Sequence, residues 1–191
     1  MVEGLLALHP FTHLYIADLD AIARSGNHSG ALAQLHHAFP ALQLWVDAGI
    51  GNRNDYLQQL ARSPGTAVAG TETLVDTGLL QSSGAGNELV LSLDFRHGRP
   101  LGQTDIPARP ALWPDRIICM CLDRVGSDRG PDLAQLQRVQ RDAPHSRLFA
   151  AGGIRHAGDL AQLQAVGVAG ALLASALHGG HIGAAQLRQF S

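Results

Sequence analysis

The sequence predicts an α/β chain of repeated strand-helix units whose parallel strands form a twofold-repeated, eight-unit barrel lacking its first strand. Short apolar runs alternate with amphipathic stretches, which is the sequence form of βα units and a parallel sheet. The apolar runs show no polar alternation, so their strands should be covered on both faces. Segments also recur in order at a near-constant spacing. Ala7-Leu8-His9-Pro10 answers Ala111-Leu112-Trp113-Pro114, and Gly49-Ile50 answers Gly153-Ile154, both 104 residues on. Leu32-Ala33-Gln34-Leu35 answers Leu133-Ala134-Gln135-Leu136 at a spacing of 101. A fixed period of this kind marks an internal repeat.

The predicted strands, in order, are Leu14 to Leu19, Gln43 to Asp47, Thr66 to Gly70, Glu88 to Phe95, Arg116 to Leu122, Arg147 to Ala151 and Ala169 to Leu173. Helical patterns fit Ala31 to Ala38, Asn54 to Arg62, Pro131 to Asp142, His156 to Val166 and Ile182 to Phe190, with a turn around Leu74 to Gln81. Asp132 and Asp159 stand at helix starts, where a carboxylate complements the helix dipole. The stretch Arg147 to His156 organises the chain: an apolar run broken by Gly152 and Gly153 before a helix is how a βα loop brings backbone N–H groups to an anion. Leu44 to Asn52 is its weaker echo. The offset would put the partner of the Glu88 to Phe95 strand ahead of Met1. A barrel short of one strand leaves two edges to be covered, by a second copy, by a rearranged Met1 to His9, or by a longer native product. Truncation or a partner is expected over a stable open monomer. We therefore read residues 1–191 as one barrel domain, 1–86 the remainder of the first half and 87–191 the second half.

At 191 residues, with 46% hydrophobic and 16% charged, the chain can bury one good core. A net charge of −2 without a Lys/Arg run argues against nucleic-acid or membrane surfaces and favours small-molecule chemistry. No apolar stretch is long enough to span a bilayer and no signal peptide is visible, so a cytoplasmic location is expected. Cys119 and Cys121 alternate along one strand, and buried free thiols are the expected reading.

Four stretches resemble the half-barrel-duplicated family of histidine biosynthesis, the ribotide isomerase and its cyclase relative. They are Ile16-Ala17-Asp18-Leu19-Asp20-Ala21, Leu91-Ser92-Leu93-Asp94, Leu122-Asp123-Arg124-Val125-Gly126-Ser127 with Gly130-Pro131-Asp132, and Ala151-Gly152-Gly153-Ile154. The tail from Gly167 to Leu173, with Ser175 to Gly180, is similar to the family's last strand and following helix. The resemblance implies a TIM-type (β/α)8 barrel of the ribulose-phosphate-binding class, with its site at the C-terminal mouth and a phosphate site in each half. Gly152, Gly153, Ala174 and Ser175 match the second-half phosphate site, and Gly70 and Thr71 match part of the first. Where the family carries Gly-Gly-Gly-Ile-Arg, this chain has Asp47-Ala48-Gly49-Ile50-Gly51. The isomerase works by general acid/base chemistry between two aspartates. Asp94 matches the one on the fifth strand, and the other belongs to the absent first strand. Met120 and Val125-Gly126-Ser127 replace two further polar groups. Ala17-Asp18-Leu19, Asp47 to Ile50 and Gly70 to Leu74 resemble instead the HisA-related proteins of one-carbon-metabolising archaea and methylotrophs, which implies a role in making C1-carrier coenzymes.

Asp18, Asp47, Glu72 and Asp94 all stand at or just past predicted strand ends, where they would ring one mouth. Partial burial would then raise one pKa and set an acid beside a base. Strand-end carboxylates that cap loops or pair with arginines are the alternative. Arg96 is either a substrate-anion contact or a solvated arginine, and Arg124 to Asp132 is either a closing loop or a polar connector. The ten histidines lack metal-ligand spacing, and no metal or cofactor is expected. His178 assists the phosphate site or sits exposed on its helix. The leading expectation is a phosphate-ester or phosphosugar-binding, isomerase-like enzyme distinct from the histidine-pathway isomerase. Asp94, Asp47 and Asp18 are its candidate catalytic groups, and a homo-oligomer or partner subunit would cover the gap. The alternatives are a non-catalytic phosphate-metabolite-binding or complex subunit, and an inactive truncated product.

Overall fold

A computed structural model describes residues 1–81, 89–102, 105–127 and 129–190. Glu88, the expected start of the fourth strand, Asp128 in the loop after the fifth, and the expected boundary at 86/87 lie outside the described residues.

Among the described residues seven parallel strands lie in the sheet in chain order: β1 (His13–Ala17), β2 (Gln43–Asp47), β3 (Thr66–Gly70), β4 (Leu89–Arg96), β6 (Arg116–Cys121), β7 (Arg147–Ala151) and β8 (Gly170–Leu172). A two-residue β5 (Arg99–Pro100) pairs antiparallel with the end of β4. Among the described residues β1 and β8 are each paired on one side only, so the sheet is a TIM-type barrel with one strand's place open. All seven expected strands form, most of them within a residue or two of their expected bounds.

The main connecting helices are α3 (Ser29–Ala38), α4 (Arg53–Arg62), α6 (Leu133–Asp142) and α7 (Ala157–Ala165), with short α2 (Leu19–Ile22), α5 (Gly78–Gln81), α8 (Ser175–His178) and α9 (Ala184–Leu187) beside them. The starts of α4, α6 and α7 are fixed by side-chain caps: Asn52 accepts from the N–H of Asn54 and Asp55, Asp132 from Gln135, and His156 from Asp159. Asp132 thus lies one residue before α6, and Pro131 lies outside the helix. The expected helix from Ile182 to Phe190 is instead a single turn, α9, followed by a 3-10 turn at Arg188–Phe190.

The 104-residue spacing holds in three dimensions. It carries β2 onto β7 residue for residue and the first residue of α4, Arg53, onto that of α7, Ala157. Gly49 and Gly153 both take positive φ, 70° and 81°. The N–H of Gly51 donates to Asp55 at 2.9 Å, and that of Arg155 donates to Asp159 at 2.8 Å.

Alternation along the strands separates two apolar layers. Trp45, Val68, Val90, Ile118 and Phe149 fill the barrel interior, with Tyr15, Met120 and Leu172 against them. Leu91, Leu93, Ile117 and Cys119 point outward to Leu136 and Val139 of α6 and Leu160 and Leu163 of α7. Each such fully buried aliphatic side chain contributes about 1.5–3 kcal/mol. Cys119 and Cys121 are buried free thiols in this outer layer. No helix among the described residues is long and apolar enough to cross a membrane.

The segment Met1 to His9 supplies a helix at the open edge, α1 (Val2–Leu8), and no strand. Val2 and Leu6 pack on the layer formed by Leu32, Leu42, Leu44 and Val46. Between α1 and β1 on one side and β8 on the other lies a largely apolar cavity of about 270 Å³.

Candidate active site at the barrel mouth

Asp47 ends β2 and Asp94 stands near the end of β4, so the two flank β3 at the C-terminal mouth. Gly70, the last residue of β3, makes their meeting possible. A Cβ there would stand 3.0 Å from Asp94 Oδ2 and 3.7 Å from Asp47 Oδ2, and its absence leaves one space that both carboxylates border.

Asp94 is 5% exposed and fully engaged. Its carboxylate accepts from Ser92 Oγ at 2.6 Å, Thr71 Oγ1 at 3.3 Å and the Glu72 N–H at 3.2 Å. Its own N–H donates to Thr71 Oγ1 at 2.9 Å. Burial pushes its carboxyl up to about 6, against the pull of the Ser92 and Glu72 hydrogen bonds and with a smaller push from the charges of Glu72 and Asp47. Asp47 accepts from Tyr15 OH at 3.2 Å and from the Gly49 N–H at 3.1 Å, and burial raises it too. The Tyr15 hydroxyl is raised by burial first and by Asp47 next, so it stays protonated as a donor. Two carboxyl groups with raised pKa values facing one space can hold a proton on one side and accept one on the other near neutral pH.

The other expected mouth residues are placed differently. Asp18 is 4% exposed and committed to its own loop. It accepts from the Ala21 N–H at 3.2 Å, the His28 N–H at 2.7 Å and His28 Nδ1 at 2.8 Å. Burial raises its carboxyl, but the His28 and Ala21 hydrogen bonds outweigh that and hold it below the usual carboxylate range. Glu72 gives its backbone N–H to Asp94 and exposes its side chain, and Arg96 is exposed. Thr71, expected at a phosphate loop with Gly70, is fully buried and tied to Asp94 by its hydroxyl and to Ser92 O by its N–H at 2.9 Å.

Gly152 and Gly153 take φ of 98° and 81°. A Cβ on Gly152 would fall on the Cys121 carbonyl and one on Gly153 on the Gly130 carbonyl, so this turn closes only with glycine. The loop after β6 is held against it by Arg124, which donates to the carbonyls of Arg129 at 3.1 Å and Gly130 at 3.0 Å and pairs with Asp132 at 3.4 Å. Gly152, Gly153, Ala174 and Ser175 line one end of the 270 Å³ cavity, and Tyr15 and Met120 line its inner wall. Met120 is the register partner of Asp94 on β6 and Tyr15 donates to Asp47, so two side chains of the cavity wall adjoin the carboxylate pair. His178 is exposed on α8.

Sequence reasoning missed Tyr15 and Ser92 as site residues. Ser92 has a visible signal, since period-two alternation puts it on the same strand face as Asp94. Tyr15 has none, because only the register of β1 against β2, which sets Tyr15 opposite Trp45, shows that it reaches Asp47. Among the described residues no group of three His, Cys, Asp or Glu is placed to hold a metal ion.

A duplicated parallel βα barrel with a carboxylate pair and a glycine turn sharing one mouth defines the class: a TIM-type barrel with a candidate site at its C-terminal mouth. The family model described as "Histidine biosynthesis protein" matches residues 111–183. A protein of Methanocaldococcus jannaschii described as uncharacterized is 28% identical over 170 residues, spanning 87% of this chain and 71% of that relative. An isomerase of Stenotrophomonas maltophilia, whose name specifies an imidazole-4-carboxamide bearing two phosphoribosyl groups, is 26% identical over 187 residues, with 86% and 75% covered. The isomerase of the same name from Xanthomonas axonopodis pv. citri is 28% identical over 193 residues, with 88% and 77% covered. These likenesses join the chain to the HisA-like isomerases of histidine biosynthesis as what it is similar to, most directly over residues 111–183.

Proposed function

We propose that this chain is an isomerase-like acid/base enzyme acting on a phosphate ester or phosphosugar. The observation that carries the reading is the facing of Asp94 and Asp47 across Gly70, with Asp94 raised to about 6. Asp94 takes a proton from one substrate atom, and a proton held by the Asp47-Tyr15 pair returns to another, so the substrate is rearranged without net gain or loss of atoms. The phosphate is held by the backbone around Gly152, Gly153, Ala174 and Ser175, and the substrate lies along Tyr15 and Met120 toward the carboxylates. Thr71 and Gly70 act through Asp94 as positioning residues, and Asp18 positions the loop after β1. The named activity of the isomerase relatives supports the reaction class. The likeness to HisA-related proteins of one-carbon organisms supports a place in C1-carrier coenzyme synthesis, in the cytoplasm.

A second reading, a non-catalytic metabolite-binding subunit, is favoured by the two one-sided strands β1 and β8, which a second copy or a partner subunit would cover. Single-turnover and NMR assays with candidate phosphosugars separate the two. Asp94→Asn should lose about a hundredfold or more in rate while keeping substrate affinity. Equal rates in Asp94→Asn and the wild type contradict the enzymatic reading.

A further inference from the structure

The two halves of the mouth are built from the same loop pair but end in opposite chemistry. In the first half the Gly49 N–H donates to Asp47 Oδ1 at 3.1 Å and the Glu72 N–H donates to Asp94 Oδ2 at 3.2 Å. Their counterparts 104 residues on are Gly153 and Ala176, and for neither N–H does the structure show an acceptor among the described residues. The side chains follow the same division. Asp47 and Glu72 answer to Ala151 and Ala176, and Asp94 adds a further carboxylate to the first half alone. Donors that could meet an anion in one half are thus already held by the chain's own anions in the other, and a second anion arriving there would face two buried or half-buried carboxylates at close range.

We infer that the ligand of this barrel carries a single phosphate, held at the second-half turn, and presents a neutral or cationic hydrogen-bond donor such as a hydroxyl or an amine to the first half. Asp47 and Asp94 are then specificity determinants as well as reacting groups. The inference rests on the proposed phosphate cradle and goes beyond it, since the repeat alone would give two equivalent anion sites.

Titration of the protein with inorganic phosphate, followed by ³¹P NMR and calorimetry, tests it without any turnover assay. One phosphate per chain is expected. Ser175→Asp and Ala174→Glu, each checked for an intact thermal transition, should weaken it by about tenfold or more. Asp47→Asn should leave that site in place and admit a second, weaker phosphate. Ribose 5-phosphate should bind at least as tightly as ribulose 1,5-bisphosphate. Two phosphates on the wild type, or a clear preference for the bisphosphate, overturn the inference and leave the cradle standing. No bound phosphate overturns the cradle and the inference together.

Discussion

Asp94 and Asp18 are both buried carboxylates, yet burial wins at Asp94 and raises it while hydrogen bonds win at Asp18 and lower it, and stability should report it. Asp94 is raised from 3.8 to about 6, so the folded protein binds its proton more tightly than the unfolded chain. Its contribution falls as pH rises from about 4 through about 6. Asp94→Asn should therefore stabilise the fold at pH 8 by about 1–3 kcal/mol, an advantage that disappears below about pH 4. Asp18 is lowered, so its stabilisation is present above its unfolded pKa and lost as pH falls through its folded one. Asp18→Asn should cost about 1–3 kcal/mol at pH 7 and little in acid. Urea unfolding of the two variants across pH measures both. In the sequence the two aspartates look alike, each just inside or past a strand end. What separates them is the His28 ring and backbone ten residues after Asp18, a loop closure that strand periodicity does not encode.

At the scale of elements, strands are legible because their apolar runs are continuous and glycine-bounded, and β2 and β7 are legible twice over through the repeat. Helix α1 is not. Its seven residues carry Gly4 and no side-chain cap, and it is held by packing of Val2 and Leu6 on the layer beneath. The two kinds of element should differ in cost. Leu91→Ala, fully buried between β4 and the helices, should destabilise by about 2–5 kcal/mol, and Leu6→Ala, half-buried on α1, by about 1 kcal/mol. Thermal or chemical unfolding gives both values. The Gly152-Gly153 turn is legible as a turn needing glycine. Its immediate steric cause, the carbonyls of Cys121 and Gly130 pressed against it, belongs to packing between two loops and is invisible to local pattern.

For the molecule as a whole, the duplicated sheet decides which residues share a mouth. Among the described residues the strand order ends at β1 and at β8, and the place between them is open. That Asp47 and Asp94 share a mouth is legible in their strand-end positions; that they face one another is not, because they lie on strands separated by β3 and it is the missing side chain of Gly70 that lets both border one space. That facing is the central claim, and ¹³C NMR titration of the aspartate carboxyl carbons tests it most directly. Asp94 should titrate near 6 in the wild type and move lower in Asp47→Asn, as the neighbouring negative charge is removed. An Asp94 that titrates near 4 and does not respond to Asp47→Asn would contradict it.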